Sequence, residues 1–160
     1  MPPVQGLFEA HISVRDLDRS IIFYRDIVGL EVALVQPERG AGSALLWVGG
    51  RGRSMLGLFS IGQSWPLTVM QHHVAFQVEV NDLLSSVERL RSAGVTPTGN
   101  RREPANEPIV FGWMPAASVF FDDPDGNLLE YICMIPDPPR PELGTVSWSE
   151  WQRLHENPID

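Results

Sequence analysis

The chain has 160 residues, a formal net charge of −8 at pH 7 and a single cysteine, Cys133. This length provides for one domain with a substantial core, and one cysteine excludes an internal disulfide. The acidic balance argues against a nucleic-acid partner, because phosphate binding requires a basic surface. No apolar run is long enough to cross a membrane, and the basic region of a signal peptide is missing, so we expect a cytoplasmic protein without a membrane partner.

The first predicted strand covers residues 8–14 and alternates between apolar and polar side chains. Ile12 and Val14 share one face, whereas His11 and Ser13 share the other. A strand of this kind packs its apolar face on the core. We therefore expect His11 on the face that points away from the core.

The segments that follow complete a unit of one strand, one helix and three strands. Asp16 or Asp18 is a suitable N-cap for a helix, and Gly29 is placed to end it. Three strands are predicted next, followed by a linker with glycine, serine and proline. The strands cover residues 30–35, 44–48 and 55–59, and the linker covers residues 61–70.

The same order of elements then recurs. Residues 72–80, H-H-V-A-F-Q-V-E-V, form a second alternating strand. If His73 and Gln77 point away from the helices, Val74 and Phe76 pack on them, which favours His73 over His72 as the functional histidine. A helix over residues 82–93, a strand over 95–98 and a long irregular loop over 100–115 complete this part.

Residues 118–132 read S-V-F-F-D-D-P-D-G-N-L-L-E-Y-I, two apolar strands joined by a tight turn. Glu130 lies within the second strand, where a carboxylate is costly to bury without a partner. The proline-rich residues 136–160 follow as a C-terminal appendage outside the functional site, with a short helix over residues 149–155.

The two halves align with each other as an internal repeat. The alignment sets His11 against His73 and Gly57 against Glu130. Either histidine alone is more simply a surface or core residue. Two histidines at one repeat position, together with a carboxylate, favour a functional site instead.

The predicted fold class is α+β, with two βαβββ modules that form a cupped mixed sheet with the helices outside. Module 1 covers residues 7–60 approximately and module 2 residues 71–134 approximately, within a single domain of residues 1–135. Such modules leave exposed strand edges, which dimers commonly cover, so we expect a homodimer.

Three motifs resemble the vicinal oxygen chelate superfamily, which contains glyoxalase I, extradiol dioxygenases, fosfomycin-resistance enzymes and bleomycin-binding proteins. They are H-I-S-V-R-D-L-D-R-S-I-I-F-Y-R-D-I-V-G-L, H-H-V-A-F-Q-V and F-D-D-P-D-G-N-L-L-E-Y. The resemblance implies one divalent metal ion, bound by His11, His73 and Glu130, with Glu130 also named as the catalytic carboxylate. Glyoxalase I uses a fourth protein ligand, and the corresponding position here is Gly57. This departure argues against glyoxalase I activity.

The resemblance therefore implies a metal-dependent enzyme of dioxygenase or lyase type, acting on a small molecule with vicinal oxygens. Two imidazoles and one carboxylate suit Fe(II), which we favour, although Mn, Zn and Ni also accept these ligands. The alternatives are a metal-dependent thiol transferase of the fosfomycin-resistance kind and a metal-free module that sequesters a drug or metabolite. Further substrate-binding candidates are Ser13, Gln77, Arg101 and Trp113.

Overall fold

The structure of the protein is a computed structural model, which describes residues 6–36, 42–61 and 70–156. Residues 37–41 and most of the predicted linker over residues 61–70 lie outside the described residues. The chain divides into two compact units. Unit 1 comprises Met1–His72 with Asp123–Asn127, and unit 2 comprises His73–Asp122 with Leu128–Asp160.

Unit 1 is a βαβββ module with a four-stranded mixed sheet. The strand order is β1-β4-β3-β2, and β1 runs parallel to β4 while the other pairs are antiparallel. The Asp16 side chain caps the helix by accepting a hydrogen bond from the backbone of Arg19, and Gly29 follows the helix with a φ of 86°. The elements are β1 (Glu9–Val14), α1 (Leu17–Asp26), β2 (Glu31–Gln36), β3 (Ser43–Val48) and β4 (Ser54–Ser60).

Alternation along β1 separates the two faces of this sheet as the sequence predicts. Ile12 and Val14 are buried together with Leu46, Leu56 and Leu58 of the neighbouring strands. Helix α1 contacts β2, β3 and β4. The polar face of β1, which carries His11, is therefore the face away from this apolar layer.

Unit 2 repeats the module and adds a fifth strand to its sheet. The strand order is β5-β8-β7-β6-β9, with β5 parallel to β8 and the other pairs antiparallel. The prediction of an α+β protein with two βαβββ modules is confirmed. The elements are β5 (His73–Gln77), α2 (Val80–Ser92), β6 (Ile109–Phe111), β7 (Ala116–Asp122), β8 (Leu128–Met134), β9 (Thr145–Ser147) and α3 (Trp148–Glu156).

The strand after α2 lies elsewhere than the sequence predicts. Residues 95–98 form no strand, and only Thr98 makes isolated bridges, to Pro104 and Phe120. Pro97 has no N–H to donate, so a ladder cannot continue through this segment. The strand is instead β6, within the stretch that was expected to be an irregular loop.

The C-terminal segment supplies the extra strand and a helix to unit 2. Strand β9 pairs with β6, and Trp151 of α3 is buried while its Nε1–H donates to Asp137 Oδ2 at 2.7 Å. The segment thus covers an edge that β6 would otherwise leave open. Within the described residues, no helix is long and apolar enough to span a membrane.

The turn between β7 and β8 is bound to α1 and therefore belongs to unit 1. Asp123 accepts hydrogen bonds from the backbone of Asp125 and Asn127, both at 2.8 Å, and from the Tyr24 hydroxyl at 2.9 Å. Burial, and then the Asp123 carboxylate, raise the pKa of Tyr24 well above its ordinary value. Asn127 in turn accepts the backbone N–H of His72 at 2.9 Å, which fixes the residue just before β5.

The Asp125 carboxylate of the same turn is fully buried and collects four donors from the start of α1. It accepts bonds from the Arg15 backbone at 3.1 Å, the Arg15 guanidinium at 3.2 Å, Arg19 at 3.2 Å and the Ser20 hydroxyl at 3.4 Å. The two arginine side chains are themselves more than half exposed. The turn thus reverses the chain and also binds the residues at the start of α1.

Candidate functional site

His73 and Glu130 form a pair across two neighbouring strands of unit 2. In the parallel register of β5 and β8, His73 lies opposite Leu128 and Ala75 lies opposite Glu130, so the two side chains share one face of the sheet. The distance from His73 Nε2 to Glu130 Oε2 is 3.0 Å. Glu130 is buried, whereas the His73 side chain is about half exposed. The imidazole therefore lies between the carboxylate and the solvent.

Among the described residues, only one oxygen of the Glu130 carboxylate has a hydrogen-bond partner. Oε1 is buried and makes no hydrogen bond with any of the described residues. A buried carboxylate oxygen without a partner is costly, and such atoms in native proteins commonly mark a site for an ion or water. An imidazole nitrogen beside a carboxylate oxygen is also a donor set that divalent transition metals accept. The pair therefore fits a bound cation.

The sheet face that carries this pair is called the Glu130 face below. It consists of alternate residues of four strands, and Phe120 of β7 lies directly opposite Glu130. The Phe120 and His73 rings are stacked with centroids 6.1 Å apart, which limits how His73 can turn. Its residues include His73, Ala75 and Gln77 of β5, Leu128, Glu130, Ile132 and Met134 of β8, Ala116, Ser118, Phe120 and Asp122 of β7, and Ile109 and Phe111 of β6.

In unit 1, His11 lies above a glycine. The register of β1 and β4 sets His11 opposite Gly57, and a Cβ at position 57 would come within 2.6 Å of His11 Cδ2 and 2.7 Å of Phe59 Cε2. The His11 and Phe59 rings are 4.4 Å apart. His11 Nε2 is 2.7 Å from Oε1 of Glu9, two residues earlier on the same face. The imidazole thus occupies the space that a side chain at position 57 would need.

The strand registers of the two units differ from each other in the alignment that the sequence predicts. His11 lies opposite Gly57, but the residue opposite Glu130 is Ala75, while His73 lies opposite Leu128. If Gly57 corresponds to Glu130, then Glu9, opposite Met55, is the counterpart of His73. His11 then corresponds to Ala75. If the two units pair their strands in equal registers, the two equivalences expected from the sequence differ by two residues along the strand.

Comparison with known proteins agrees with this architecture. The family model of the Glyoxalase/Bleomycin resistance protein/Dioxygenase superfamily matches residues 6–131. The chain belongs to this superfamily. Its fold is similar to a crystal structure of an integron cassette protein from the Halifax Harbour sewage outfall. That match has 34% identity and a TM-score of 0.65, and covers 82% of this chain and 100% of the other.

Two curated relatives within the superfamily have different activities in their names. The chain is 27% identical to a lactoylglutathione lyase of Haemophilus influenzae, over 76% of this chain and 87% of the relative. It is 29% identical to the metallothiol transferase FosB of Shouchella clausii, over 79% of each chain. Membership in the superfamily is therefore shown, whereas the relatives differ in reaction.

The superfamily resemblance places a fourth metal ligand of glyoxalase I at position 57. The structure adds a steric reason for its absence here, since the His11 ring fills the space above Gly57. Among the residues that the structure describes, no cluster of three or more His, Cys, Asp or Glu side chains is arranged to hold a metal. The described part of each unit contains one His–Glu pair, Glu9 with His11 in unit 1 and His73 with Glu130 in unit 2.

The remaining candidates fall in different surroundings. Gln77 is exposed on the Glu130 face, and Ser13 is buried opposite Phe59 in unit 1. Arg101 is exposed in the connection between α2 and β6, and Trp113 is exposed in the turn between β6 and β7. Of the four, only Gln77 is brought onto the same face as the His73–Glu130 pair. Glu9 was missed, because only the strand register singles it out.

Proposed function

We propose that the protein is a divalent-metal-dependent enzyme of dioxygenase or lyase type, which acts on a small molecule with vicinal oxygens. His73 and Glu130 are two of the metal ligands, and the third comes from β1 of this chain or of a second copy of it. The observation that carries this proposal is the buried Oε1 of Glu130, which has no partner among the described residues and lies beside a half-exposed imidazole. Superfamily membership supports the choice of a metal over another cation.

The chemistry follows from the types of residue. A divalent metal bound here supplies Lewis acidity toward oxygen atoms of the substrate. Glu130 provides negative charge that offsets the cation, and its burial keeps competing water from the carboxylate. The stacking of His73 on Phe120 holds the imidazole plane, which fixes the direction of its nitrogen.

The ligand from β1 is either His11, as the sequence predicts, or Glu9, which the strand register favours. In the first case the donor set has two imidazoles and one carboxylate, and Glu9 orients His11 through their 2.7 Å contact. In the second case it has one imidazole and two carboxylates, and His11 holds Glu9. The second set is richer in oxygen and shifts the preference toward Mn(II) and away from Zn(II).

A thiol transferase is the second candidate function, and the similarity to FosB supports it. The chain carries 12 Lys and Arg against 20 Asp and Glu, which does not favour an anionic substrate of the phosphonate kind. Gly57, beneath the His11 ring, argues against a glyoxalase I reaction. We therefore keep the dioxygenase or lyase proposal first.

The decisive experiment is metal analysis of protein purified without chelators, followed by titration of metal-free protein with Fe(II), Mn(II) and Zn(II). His73→Ala and Glu130→Gln should each lower metal affinity at least tenfold, and His72→Ala is the matched control that should leave it unchanged. Oxygen uptake with the Fe(II) protein then screens substrates with adjacent oxygens. If the parent binds no metal, the enzyme proposal is wrong and the sequestering module replaces it.

Glu9→Gln and His11→Ala separate the two donor sets. The ligand variant should lose most of the metal affinity, whereas the variant of its neighbour should lose only a part of it. Electron paramagnetic resonance of the Cu(II)-substituted protein counts the coordinated imidazoles directly. Two imidazoles select His11, and one imidazole selects Glu9.

We also propose that the protein forms a homodimer. Strand β2 ends the sheet of unit 1 and exposes Leu34 and Val35, and an apolar strand at a sheet edge is a surface that partners commonly cover. Light scattering after gel filtration gives the mass in solution. A monomeric mass at micromolar concentration would contradict the proposal.

A further inference from the structure

Ser118 of β7 carries a buried hydroxyl without a partner. Its Oγ makes no hydrogen bond with any of the described residues, and the residue is 1% exposed. A serine hydroxyl can both donate and accept, and rotation about one bond usually lets it reach a backbone carbonyl. A buried hydroxyl that reaches none costs free energy, so its presence in the core needs an explanation.

The position of Ser118 in the sheet explains why a buried hydroxyl stands there without a partner among the described residues. Ser118 lies opposite Ile132 and Phe120 lies opposite Glu130, so Ser118 and Glu130 are diagonal neighbours on the Glu130 face. Diagonal neighbours in antiparallel strands lie roughly 7–8 Å apart, a distance that one small molecule can bridge. Throughout the described parts of the chain, buried side-chain nitrogen or oxygen atoms without a partner occur only twice, at Ser118 Oγ and at Glu130 Oε1. Both therefore belong to one face of one sheet.

We infer that Ser118 is a substrate-binding residue, whose hydroxyl donates a hydrogen bond to an oxygen of the small molecule that occupies the Glu130 face. The inference rests on the proposed function, which places a cation at Glu130. A substrate oxygen near that cation is an acceptor, and the Glu130 carboxylate can only accept. The Ser118 hydroxyl provides the donor that this oxygen requires.

This role restricts the substrate class. The molecule presents two oxygens, one toward the cation at Glu130 and a second toward β7, where Ser118 selects an acceptor such as a carbonyl or an oxyanion. Phe120 of β7 lies opposite Glu130 and two residues from Ser118, so it adjoins both positions, and its ring favours a flat or apolar body. A molecule with an apolar group in place of the second oxygen leaves the buried hydroxyl without a partner and binds more weakly.

The test uses the Zn(II)-loaded full chain and 4-nitrocatechol, a coloured probe with two adjacent oxygens, and follows the change in its absorption spectrum. Ser118→Ala should lower the affinity for the probe about tenfold, which corresponds to one lost hydrogen bond to a charged group. The affinity for Zn(II) should stay unchanged. Ser86→Ala is the matched control. The Ser86 hydroxyl is buried in the same unit but donates to the Leu83 carbonyl at 2.6 Å.

Thermal unfolding without metal or probe gives a second readout. Ser118→Ala should unfold at the parent's temperature or higher, because it removes an unpaired hydroxyl, whereas Ser86→Ala should unfold at a lower temperature. The inference is overturned if Ser118→Ala binds the probe as the parent does, if it unfolds earlier than the parent, or if the Zn(II)-loaded parent does not bind the probe. A parent that binds Mn(II) but not Zn(II) is titrated with the probe in its Mn(II) form. A parent that binds no divalent metal overturns the proposed function, and this inference with it.

Discussion

Gly57→Ala tests whether the His11 ring fills the space above position 57. The new Cβ would lie 2.6 Å from His11 Cδ2 and 2.7 Å from Phe59 Cε2, and both distances are shorter than real carbon–carbon contacts. One of the rings must move, and the His11 side chain is the freer of the two, since 36% of it is exposed. Its displacement breaks the contact with Glu9.

Two opposing contributions set the magnitude of this effect. Replacing glycine with alanine within a strand stabilises by about 0.5–1 kcal/mol, because the unfolded chain loses conformational freedom. Crowding in a packed site costs about 1–3 kcal/mol. The expected result is a net loss of about 1 kcal/mol in the free energy of unfolding, measured by urea denaturation.

A double-mutant cycle isolates the histidine's share of the cost. In the His11→Ala background the Gly57→Ala change should cost at least about 0.5 kcal/mol less, because only the contact with Phe59 remains. Gly6→Ala, where a Cβ meets no atom within 4 Å, is the control and should have little effect. A Gly57→Ala protein as stable as the parent or more stable, with no coupling to His11, would show that the ring does not occupy this space.

Two substitutions and one pH titration probe contacts outside the candidate site. Asp125→Asn should lower the free energy of unfolding by about 2 kcal/mol, because one amide oxygen cannot replace a carboxylate that accepts four hydrogen bonds. Trp151→Phe should cost about 1 kcal/mol through the lost bond to Asp137. Burial raises the pKa of Tyr24, and raises that of Tyr131 to about 12. Stability should therefore be complete below the unfolded-state pKa of about 10 and fall above it, by up to about 1.4 kcal/mol per pH unit for each tyrosine.

Urea denaturation measures the free energy of unfolding of the two substituted proteins. A decrease of less than about 0.5 kcal/mol for Asp125→Asn would contradict the role assigned to the turn. Absorbance at 295 nm measures ionisation of the tyrosines, of which the chain has only 2. Phenolate that forms in the native protein near pH 10, at the same pH as in the denatured chain, would show that neither hydroxyl is shielded.

Alternation along single strands was sufficient to predict the faces of the sheets. The period of two in β1 and β5 is a local property, and it placed His11 and His73 away from the apolar layer before any pairing was known. The same argument preferred His73 over His72. The structure places His73 beside Glu130 and ties the His72 backbone to Asn127.

The sequence does not predict the register between strands, and the reason is specific. A shift of one residue moves a side chain to the other face and contradicts the alternation, whereas a shift of two residues keeps every side chain on its face. Aligning His11 with His73 instead of with Ala75 is a shift of two, so the hydrophobic pattern was unchanged by it. Only the cross-strand partners distinguish the two alignments: His11 lies opposite Gly57, and Ala75 lies opposite Glu130.

Non-local contacts also decided the elements that the sequence placed wrongly. Strand β6 has three residues, too few for a recognisable pattern, and it forms because β7 and β9 pair with it on both sides. The Asp-Gly-Asn sequence predicted a turn correctly. That Asp125, the aspartate of this sequence, binds the start of α1, more than a hundred residues earlier in the chain, depends on tertiary structure alone.

Each of the two modules has a His–Glu pair, and the two pairs are arranged differently. In unit 2 the histidine and the carboxylate come from different strands, at the positions of His73 and Glu130. In unit 1 the position of Glu130 is taken by Gly57, and a carboxylate, Glu9, stands at the position of His73. His11 then lies two residues further along β1, directly above the glycine, and reaches back to Glu9. The small residue on β4 and the histidine on β1 are thus coupled, since a carboxylate at position 57 and the present His11 would require the same space.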